Sequence, residues 1–433
     1  MNEQPSQFKW VGTRTIRPDG VDKVTGRAMY GADLAMPGML QGRVLRSPHA
    51  HAKIKSIDTS KAEALDGVKA VVTADDMPVA DPKPVAAGEA MINMRDLSEN
   101  VIARHKVLYE GQTVAAVAAK TTDIAEKAVA LIDVEYEVLP HVIDVLEAMK
   151  EDAPLLHDDL FTGGVKPKPE KPSNVANRVE FSLGNLETGF ASADVVIEKN
   201  FTTKPVHQGY IEPHAVVADA NPDGKVDIWC SSQGHFMVRT FISGLLKIDM
   251  SKIKVTAAEI GGGFGGKTTV YLEPLAVMLS SKAGRPVRMV MSREEVFRAS
   301  GPTSGAAITV KIGATKDGQI VAGDATLHFQ AGAWPGSPVG PAAMTAFAPY
   351  DIANVKVVGY DVVSNRQKVV AYRAPGAPIS EYGVESIIDE IAAEIGMDPL
   401  EFRAKNAAKE GTQAAYGVKF GAIGMLETVE AAR

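Results

Sequence analysis

The most informative stretch of this chain is Ile260-Gly261-Gly262-Gly263-Phe264-Gly265-Gly266-Lys267-Thr268. Glycines lack a Cβ, so the backbone N–H groups of this glycine loop (residues 261–267) can approach an anionic or polar ligand closely. Residues 261–268 also satisfy the phosphate-loop pattern G-x-x-x-x-G-K-[ST]. The hydrophobic pattern predicts a strand over 253–260 and a helix over 271–283 on either side. A phosphate-loop nucleotide hydrolase is therefore one open interpretation.

Composition narrows the class of protein and the kind of partner. The 433 residues carry a net charge of −7 and no basic block, which argues against a nucleic-acid partner. The single cysteine, Cys230, excludes an internal disulfide and a cysteine-ligated iron–sulfur cluster within this chain. The polar N-terminus does not resemble a signal peptide, and no apolar run is long enough to span a bilayer. We expect a cytoplasmic protein without a membrane partner.

The pattern of the chain predicts a mixed α/β protein in three parts. Residues 1–155 alternate short apolar strands with helices. Residues 156–178 are rich in proline, glycine and charge, which is typical of a linker. Residues 179–433 again alternate strands and helices, with a hairpin predicted at Lys316-Asp317-Gly318 and a strongly patterned helix over 380–394.

Several further stretches, in order along the chain, are shared with a known family. They are Leu45-Arg-Ser-Pro-His-Ala-His51, Tyr109-Glu-Gly-Gln-Thr-Val114, His207-Gln-Gly-Tyr-Ile-Glu-Pro213, Ser232-Gln233 and Tyr372-Arg-Ala-Pro-Gly-Ala-Pro378. With the glycine loop, they make the chain resemble the large, molybdopterin-binding subunit of the xanthine dehydrogenase/aldehyde oxidase family, from about Val11 to the C-terminus. It most resembles members whose large subunit is split in two, as in bacterial nicotinate dehydrogenase.

The resemblance implies a fold, a cofactor and partners. It implies an α/β-hammerhead domain over 1–155, followed by the first half of a molybdopterin-binding domain over 179–433. It implies molybdenum–molybdopterin, usually the cytosine dinucleotide, whose dithiolene holds the metal without a protein ligand. Partner chains would carry the other molybdopterin-binding half with a general-base glutamate, the 2Fe-2S clusters and FAD. The implied reaction is hydroxylation of an N-heteroaromatic or related electron-poor small molecule, nicotinate-like, with water as oxygen source.

Cofactor contacts follow from the resemblance residue by residue. Gln233 matches the glutamine whose amide hydrogen-bonds an oxygen ligand of molybdenum. Gly263, Phe264 and Gly265 match the loop that lines the metal site. Arg373 matches an arginine whose loop borders the cofactor.

The substrate pocket is predicted from the same resemblance, and it departs from the purine-oxidising members. Phe264, Tyr372 and Ala374 fall in the pocket. Thr268 stands where those members have a glutamate, and ungapped counting places Pro341 where they have a substrate-binding arginine. A purine would lose polar partners at both places, which disfavours xanthine. Carbon monoxide dehydrogenases have a cysteine where this chain has Ala374, so oxidation of carbon monoxide is disfavoured as well.

Alternatives remain open at this point. A 4-hydroxybenzoyl-CoA reductase-type or an aldehyde-oxidising member would share these motifs, and a scaffold protein could bind the pterin without turnover. His207, Glu212 and His214 suggest a metal site, although a strand would place His207 on the opposite face from the other two. Glu212 is otherwise expected to hold the cofactor domain together.

Overall fold

The computed structural model describes residues 8–87 and 90–433, in which strands and helices alternate. The strands are β1 (Leu40–Arg46), β2 (Ala52–Asp58), β3 (Val68–Val72), β4 (Pro84–Ala87), β5 (Ala90–Asn93), β6 (Lys106–Val107), β7 (Thr113–Ala119), β8 (Asp133–Val138), β9 (Val175–Leu183), β10 (Val195–Thr203), β11 (Ala215–Ala220), β12 (Val226–Cys230), β13 (Ile253–Ala257), β14 (Val287–Val290), β15 (Ala306–Ala314), β16 (Ile320–Gly332) and β17 (Val355–Val363).

The α-helices pack against both faces of the largest sheet. They are α1 (Gly20–Thr25), α2 (Ser60–Glu63), α3 (Met94–Val101), α4 (Thr122–Ala130), α5 (Val145–Ala148), α6 (Leu186–Ala191), α7 (His235–Leu246), α8 (Glu273–Ala283), α9 (Arg293–Ala299), α10 (Val339–Thr345), α11 (Ala377–Ile395), α12 (Pro399–Lys405) and α13 (Met425–Ala432). Among the described residues, no helix is long and apolar enough to cross a membrane.

A seven-stranded mixed sheet joins the two predicted globular parts. Its order is β13-β12-β11-β14-β1-β7-β3, so strands from residues 1–155 and from residues 179–433 share one set of hydrogen bonds. The link is the parallel pairing of β1 with β14, in which Leu40 lies opposite Val287. Helix α8 is almost wholly buried against this sheet. The division at 156–178 stays a prediction, and the hydrogen-bonded sheet crosses it.

A second, five-stranded sheet has the order β10-β15-β16-β17-β9. Strands β15 and β16 form the predicted hairpin, and α11 extends the predicted helix to Ala377–Ile395. Helices α10, α11 and α12 pack on this sheet to form its core. Residues 175–178, which the sequence assigns to the linker, begin β9 and pair with β17.

Candidate functional site

Topology brings the predicted cofactor residues together. Strands β12 and β13 are parallel neighbours joined by α7, so both end at the same edge of the seven-stranded sheet. Gln233 follows β12, and the glycine loop follows β13. Strand β11 is antiparallel to β12, so the segment that precedes it, residues 207–214, reaches this edge too.

The orientation of the Gln233 amide is set by the glycine loop. Its Oε1 accepts hydrogen bonds from the backbone N–H of Gly265 at 2.9 Å and of Lys267 at 3.2 Å. The backbone of Gln233 also donates to the Lys267 carbonyl at 2.9 Å. Because two donors meet at Oε1, the oxygen cannot exchange places with Nε2 without losing both bonds. The amide Nε2 of this exposed residue has no acceptor among residues 8–87 and 90–433, so it is left as a donor.

Two glycines of the loop are required by close packing against protein groups. A Cβ on Gly263 would lie 2.5 Å from Gln233 Oε1, and one on Gly265 would lie 2.5 Å from the Ala371 carbonyl oxygen. Gly265 also has φ of 103°, a conformation that residues with a Cβ rarely adopt. The sequence predicts a ligand contact for these glycines. The structure shows that they allow the loop to pack closely against Gln233 and Ala371.

The arginine loop (residues 371–376) lies directly against the glycine loop. The backbone N–H of Arg373 donates to the Phe264 carbonyl at 2.9 Å. The Gln208 amide donates to the Ala371 carbonyl at 2.9 Å and joins the arginine loop to the segment before β11. Residues 372–375 are all exposed, and the Arg373 guanidinium has no hydrogen-bond or ion-pair partner within residues 8–87 and 90–433.

The resulting surface offers hydrogen-bond donors and no metal ligands. Within the part of the chain that the structure describes, the N–H groups of residues 262–264 have no acceptor, and Gln233 Nε2 and the Arg373 guanidinium are likewise free. No cluster of three or more His, Cys, Asp or Glu side chains among those residues could hold a metal ion. Such a surface fits a group that brings its own metal ligands and presents oxygen or nitrogen acceptors to the protein.

Lys267 rules out the phosphate-loop interpretation. A phosphate loop needs its lysine and its backbone amides free for the phosphates, at the N-terminus of a helix. Here Lys267 is 1% exposed, and its Nζ lies 2.8 Å from Glu212 Oε2. The N–H groups of Gly261, Gly265 and Lys267 bond to protein side chains, and α8 begins only at Glu273.

The metal triad of His207, Glu212 and His214 does not form either. Glu212 faces Lys267, whereas His214 Nε2 lies 2.7 Å from the Tyr210 hydroxyl and His207 Nε2 lies 2.9 Å from the hydroxyl of Ser300. Burial lowers the pKa of His207 to about 4 and holds the pKa of His214 well below its usual range, so both rings are neutral at pH 7. Of the three residues, Glu212 alone is hydrogen-bonded to the glycine loop within the described part of the chain, and the two histidine rings pack against Tyr210.

The predicted substrate-pocket residues lie at different distances from the loop. The Phe264 ring is 52% exposed, with φ of 52°. The Thr268 hydroxyl donates to the Gly265 carbonyl at 2.8 Å, so its proton is not free for a substrate. Tyr372 and Ala374 are exposed on the arginine loop. Pro341 is exposed on α10, and a Cβ on Gly376 of the arginine loop would lie 2.9 Å from the backbone nitrogen of Ala342 in that helix. The place of Pro341 in the pocket stays a prediction.

Sequence reasoning missed two connecting side chains. Gln208 is 5% exposed and ties two loops together, and the Ser232 hydroxyl donates to the Lys267 carbonyl at 3.3 Å. Both lie inside motifs quoted above, but nothing in their letters indicates which partner each one reaches. The partners become known only from the fold, which brings the ends of the neighbouring strands to one edge of the sheet.

Two families match the chain and together cover most of it. Residues 167–407 match the molybdopterin cofactor-binding domain, and residues 25–140 match the aldehyde oxidase and xanthine dehydrogenase a/b hammerhead domain. The fold expected from the resemblance is confirmed.

Full-length relatives place the chain among enzyme subunits. It is 31% identical over 432 residues to the nicotinate dehydrogenase large molybdopterin subunit of Eubacterium barkeri, covering 98% of this chain and 96% of that protein. It is 31% identical over 426 residues to the xanthine dehydrogenase molybdenum-binding subunit of Escherichia coli O157:H7, covering 96% of this chain but 55% of that protein. The chain thus spans about half the length of some curated relatives and nearly all of another.

Solved structures agree with the sequence relatives. Quinoline 2-oxidoreductase from Pseudomonas putida 86 matches with a TM-score of 0.86 at 28% identity, covering 97% of this chain and 53% of that one. The aldehyde oxidoreductase from Desulfovibrio gigas matches with a TM-score of 0.85 at 28% identity, covering 96% and 45%. The chain therefore belongs to the xanthine dehydrogenase/aldehyde oxidase family, as a molybdopterin-binding subunit of the molybdenum hydroxylase type.

Proposed function

We propose that this chain is the larger part of a split large subunit and holds molybdenum–molybdopterin, as the cytosine dinucleotide, against the glycine and arginine loops. The observation that carries the proposal is the Gln233 amide, whose oxygen is held by two loop N–H groups and whose nitrogen is left as a donor. The similar length of the nicotinate dehydrogenase subunit supports the split arrangement.

Each group on this surface has a role that follows from its chemistry. When bound, the molybdenum centre supplies a two-electron oxidation of carbon with water as oxygen source. Gln233 Nε2 donates to an oxygen atom of the bound group and favours negative charge there. The free N–H groups of residues 262–264 bind polar atoms, and Arg373 supplies a positive charge to an anionic part. Phe264 forms an aromatic wall for the substrate.

The general base is proposed to come from a second molybdopterin-binding chain. Glu212, the carboxylate beside the glycine loop, is 9% exposed and paired with Lys267, so it is poorly placed to remove a proton from a substrate.

The exposed helix α1, near the N-terminus, also supports a partner at the sheet edge that carries the glycine loop. Helix α1 has no buried residue, its Val24 is 85% exposed, and the following Met29 carbonyl accepts from Glu259, close to the glycine loop. Iron–sulfur (2Fe-2S) and FAD subunits would complete the electron path.

The proposed substrate is an N-heteroaromatic acid of the nicotinate type. The threonine at 268 directs its proton to the loop, and Pro341 cannot pair with a purine oxygen, so the pocket lacks two polar anchors. The likeness to the Desulfovibrio gigas aldehyde oxidoreductase supports a second candidate, oxidation of an aldehyde.

Elemental analysis of the tagged protein isolated from its native host tests the proposal. We expect stoichiometric molybdenum, with iron and a second cofactor-binding chain in the same complex, followed by turnover of nicotinate in a screen that includes purines and aldehydes. Metal-free, partnerless protein from molybdate-fed cells would contradict the proposal. Metal-loaded complex that stays inactive on every substrate class would instead favour a scaffold role.

Replacing Phe264 by alanine should weaken substrate binding more than chemistry. Removing half-exposed aromatic surface from the pocket wall is expected to raise the KM about tenfold while the bound molybdenum is retained. Steady-state kinetics with metal analysis measures both quantities. Phe161→Ala, which removes a 37% exposed ring from the region before β9, is the control. An unchanged KM would remove Phe264 from the pocket.

A further inference from the structure

We propose that the buried Lys267–Glu212 ion pair is a positioning pair that fixes the glycine loop and, through it, the direction of Gln233 Nε2. This inference rests on the proposed function for its catalytic consequence, but not for its structural one. The two side chains are 0% and 9% exposed, and Nζ lies 2.8 Å from Oε2. Neither group faces solvent, so the pair acts inside the loop.

Glu212 ties the two ends of the loop to one atom. Its Oε2 accepts from the Gly261 N–H at 2.7 Å and from Lys267 Nζ at 2.8 Å, so the first and last residues of the glycine loop share one carboxylate oxygen. The Glu212 N–H also donates to the Gly261 carbonyl at 3.2 Å. The span of the loop is therefore set by Glu212.

Lys267 transmits this constraint to Gln233. Its N–H donates to Gln233 Oε1, and its carbonyl accepts from the Gln233 N–H at 2.9 Å. The lysine backbone thus holds both ends of the glutamine while its side chain is anchored on Glu212. A displacement of Lys267 would turn the Gln233 amide, which is the group proposed to face the cofactor.

The pair is not arranged for stability alone. Glu212 Oε1 is buried with no hydrogen-bond partner among the described residues, and burial lowers the pKa of Lys267 against the opposing effect of the Glu212 carboxylate. A buried ion pair is often no more stabilising than apolar side chains of similar size, and its best-attested use is to fix one register. The Tyr210 ring lies 4.9 Å from Nζ, and the buried Glu273 carboxylate adds a smaller attraction to the Lys267 ammonium than Glu212 does.

Hydrogen exchange on the intact complex tests the pair without relying on turnover. The informative protein is the double variant Lys267→Met/Glu212→Gln, which leaves no unpaired buried charge and preserves an oxygen that can accept from Gly261. We expect amides in a peptide spanning 258–268 to exchange at least about fivefold faster than in the parent, since their acceptors lose a fixed position. Peptides from β15 and β16 should be unchanged. Lys282→Met, which removes a surface ion pair with Asp76, is the matched control.

Kinetics separates positioning from folding. In the double variant we expect kcat to fall at least about tenfold with the KM and bound molybdenum little changed, because Gln233 is turned rather than lost. The single variant Lys267→Met should exchange faster still, since it leaves Glu212 charged and buried. Parent-like exchange at 258–268 in the double variant would overturn the proposal. Accelerated exchange in the double variant of a parent complex that itself carries no molybdenum would support positioning while contradicting the proposed function.

Discussion

Gln233→Glu is expected to lower kcat by about 100-fold or more while the complex keeps its molybdenum. Glutamate has the shape of glutamine, and one carboxylate oxygen can still accept from the N–H groups of Gly265 and Lys267. The other oxygen replaces the Nε2 donor with a negatively charged acceptor. The side chain would then repel the oxygen atom of the bound group that the amide is proposed to attract. The variant therefore tests the outward donor and leaves the loop tied.

Turnover and molybdenum per complex must be measured together for this variant. Gln413→Glu is the control, because that glutamine also donates through Nε2, to the carbonyls of Ala414 and Val418, away from both loops. Retained activity in Gln233→Glu would refute the role of the amide donor. Equal loss of activity and molybdenum would mean that the amide holds the cofactor rather than tuning it.

Gln233→Ala is the less informative change, for a reason that only the structure provides. From sequence alone, alanine removes one contact to the bound group, so turnover should fall more than cofactor retention. In the structure the same side chain also accepts two loop N–H groups. Alanine would leave both donors without their acceptor and loosen the loop, so both quantities should fall.

The sequence predicted the parts of this site better than their connections. The resemblance to the family predicted the loop with Phe264, the glutamine and the arginine as cofactor residues, and the structure places these three segments side by side. The strand before the loop and the helix after it were also predicted, although the helix begins later, at Glu273. Local patterns carry this information because they depend on neighbours in the chain.

Long-range partners could not be predicted, and they decide what the loop does. The letters of residues 261–268 fit a phosphate loop, but contacts with residues far away in sequence exclude it: Lys267 is buried against Glu212, and Gln233 occupies two of the loop N–H groups. The sheet that crosses the predicted linker is a similar case, since nothing in β1 indicates that it will pair with β14. Pairing of distant strands depends on the whole fold.

Gly265→Ala is expected to separate the glycine loop from the arginine loop and to reduce bound molybdenum by about tenfold or more. Its effect on cofactor retention should therefore exceed that of Gln233→Glu, which is expected to keep its molybdenum. The new Cβ would lie 2.5 Å from the Ala371 carbonyl oxygen and 2.9 Å from the Ala371 Cβ. Both atoms are fixed by the backbone of Ala371, so neither can move away by a rotamer change as the end of a flexible side chain would. The hydrogen bond from Arg373 to Phe264 lies next to this contact and should break with it.

Gly417→Ala distinguishes the collision from simple backbone strain. Gly417 has φ of 94°, close to the 103° of Gly265, but a Cβ there would meet nothing within 4 Å. Both variants should lose about 1–2 kcal/mol of stability from the left-handed backbone conformation. Only Gly265→Ala should lose molybdenum, because only that glycine holds the glycine loop against the arginine loop. If both variants lost molybdenum equally, strain would be the cause, and close contact between the loops would not be what retains the cofactor.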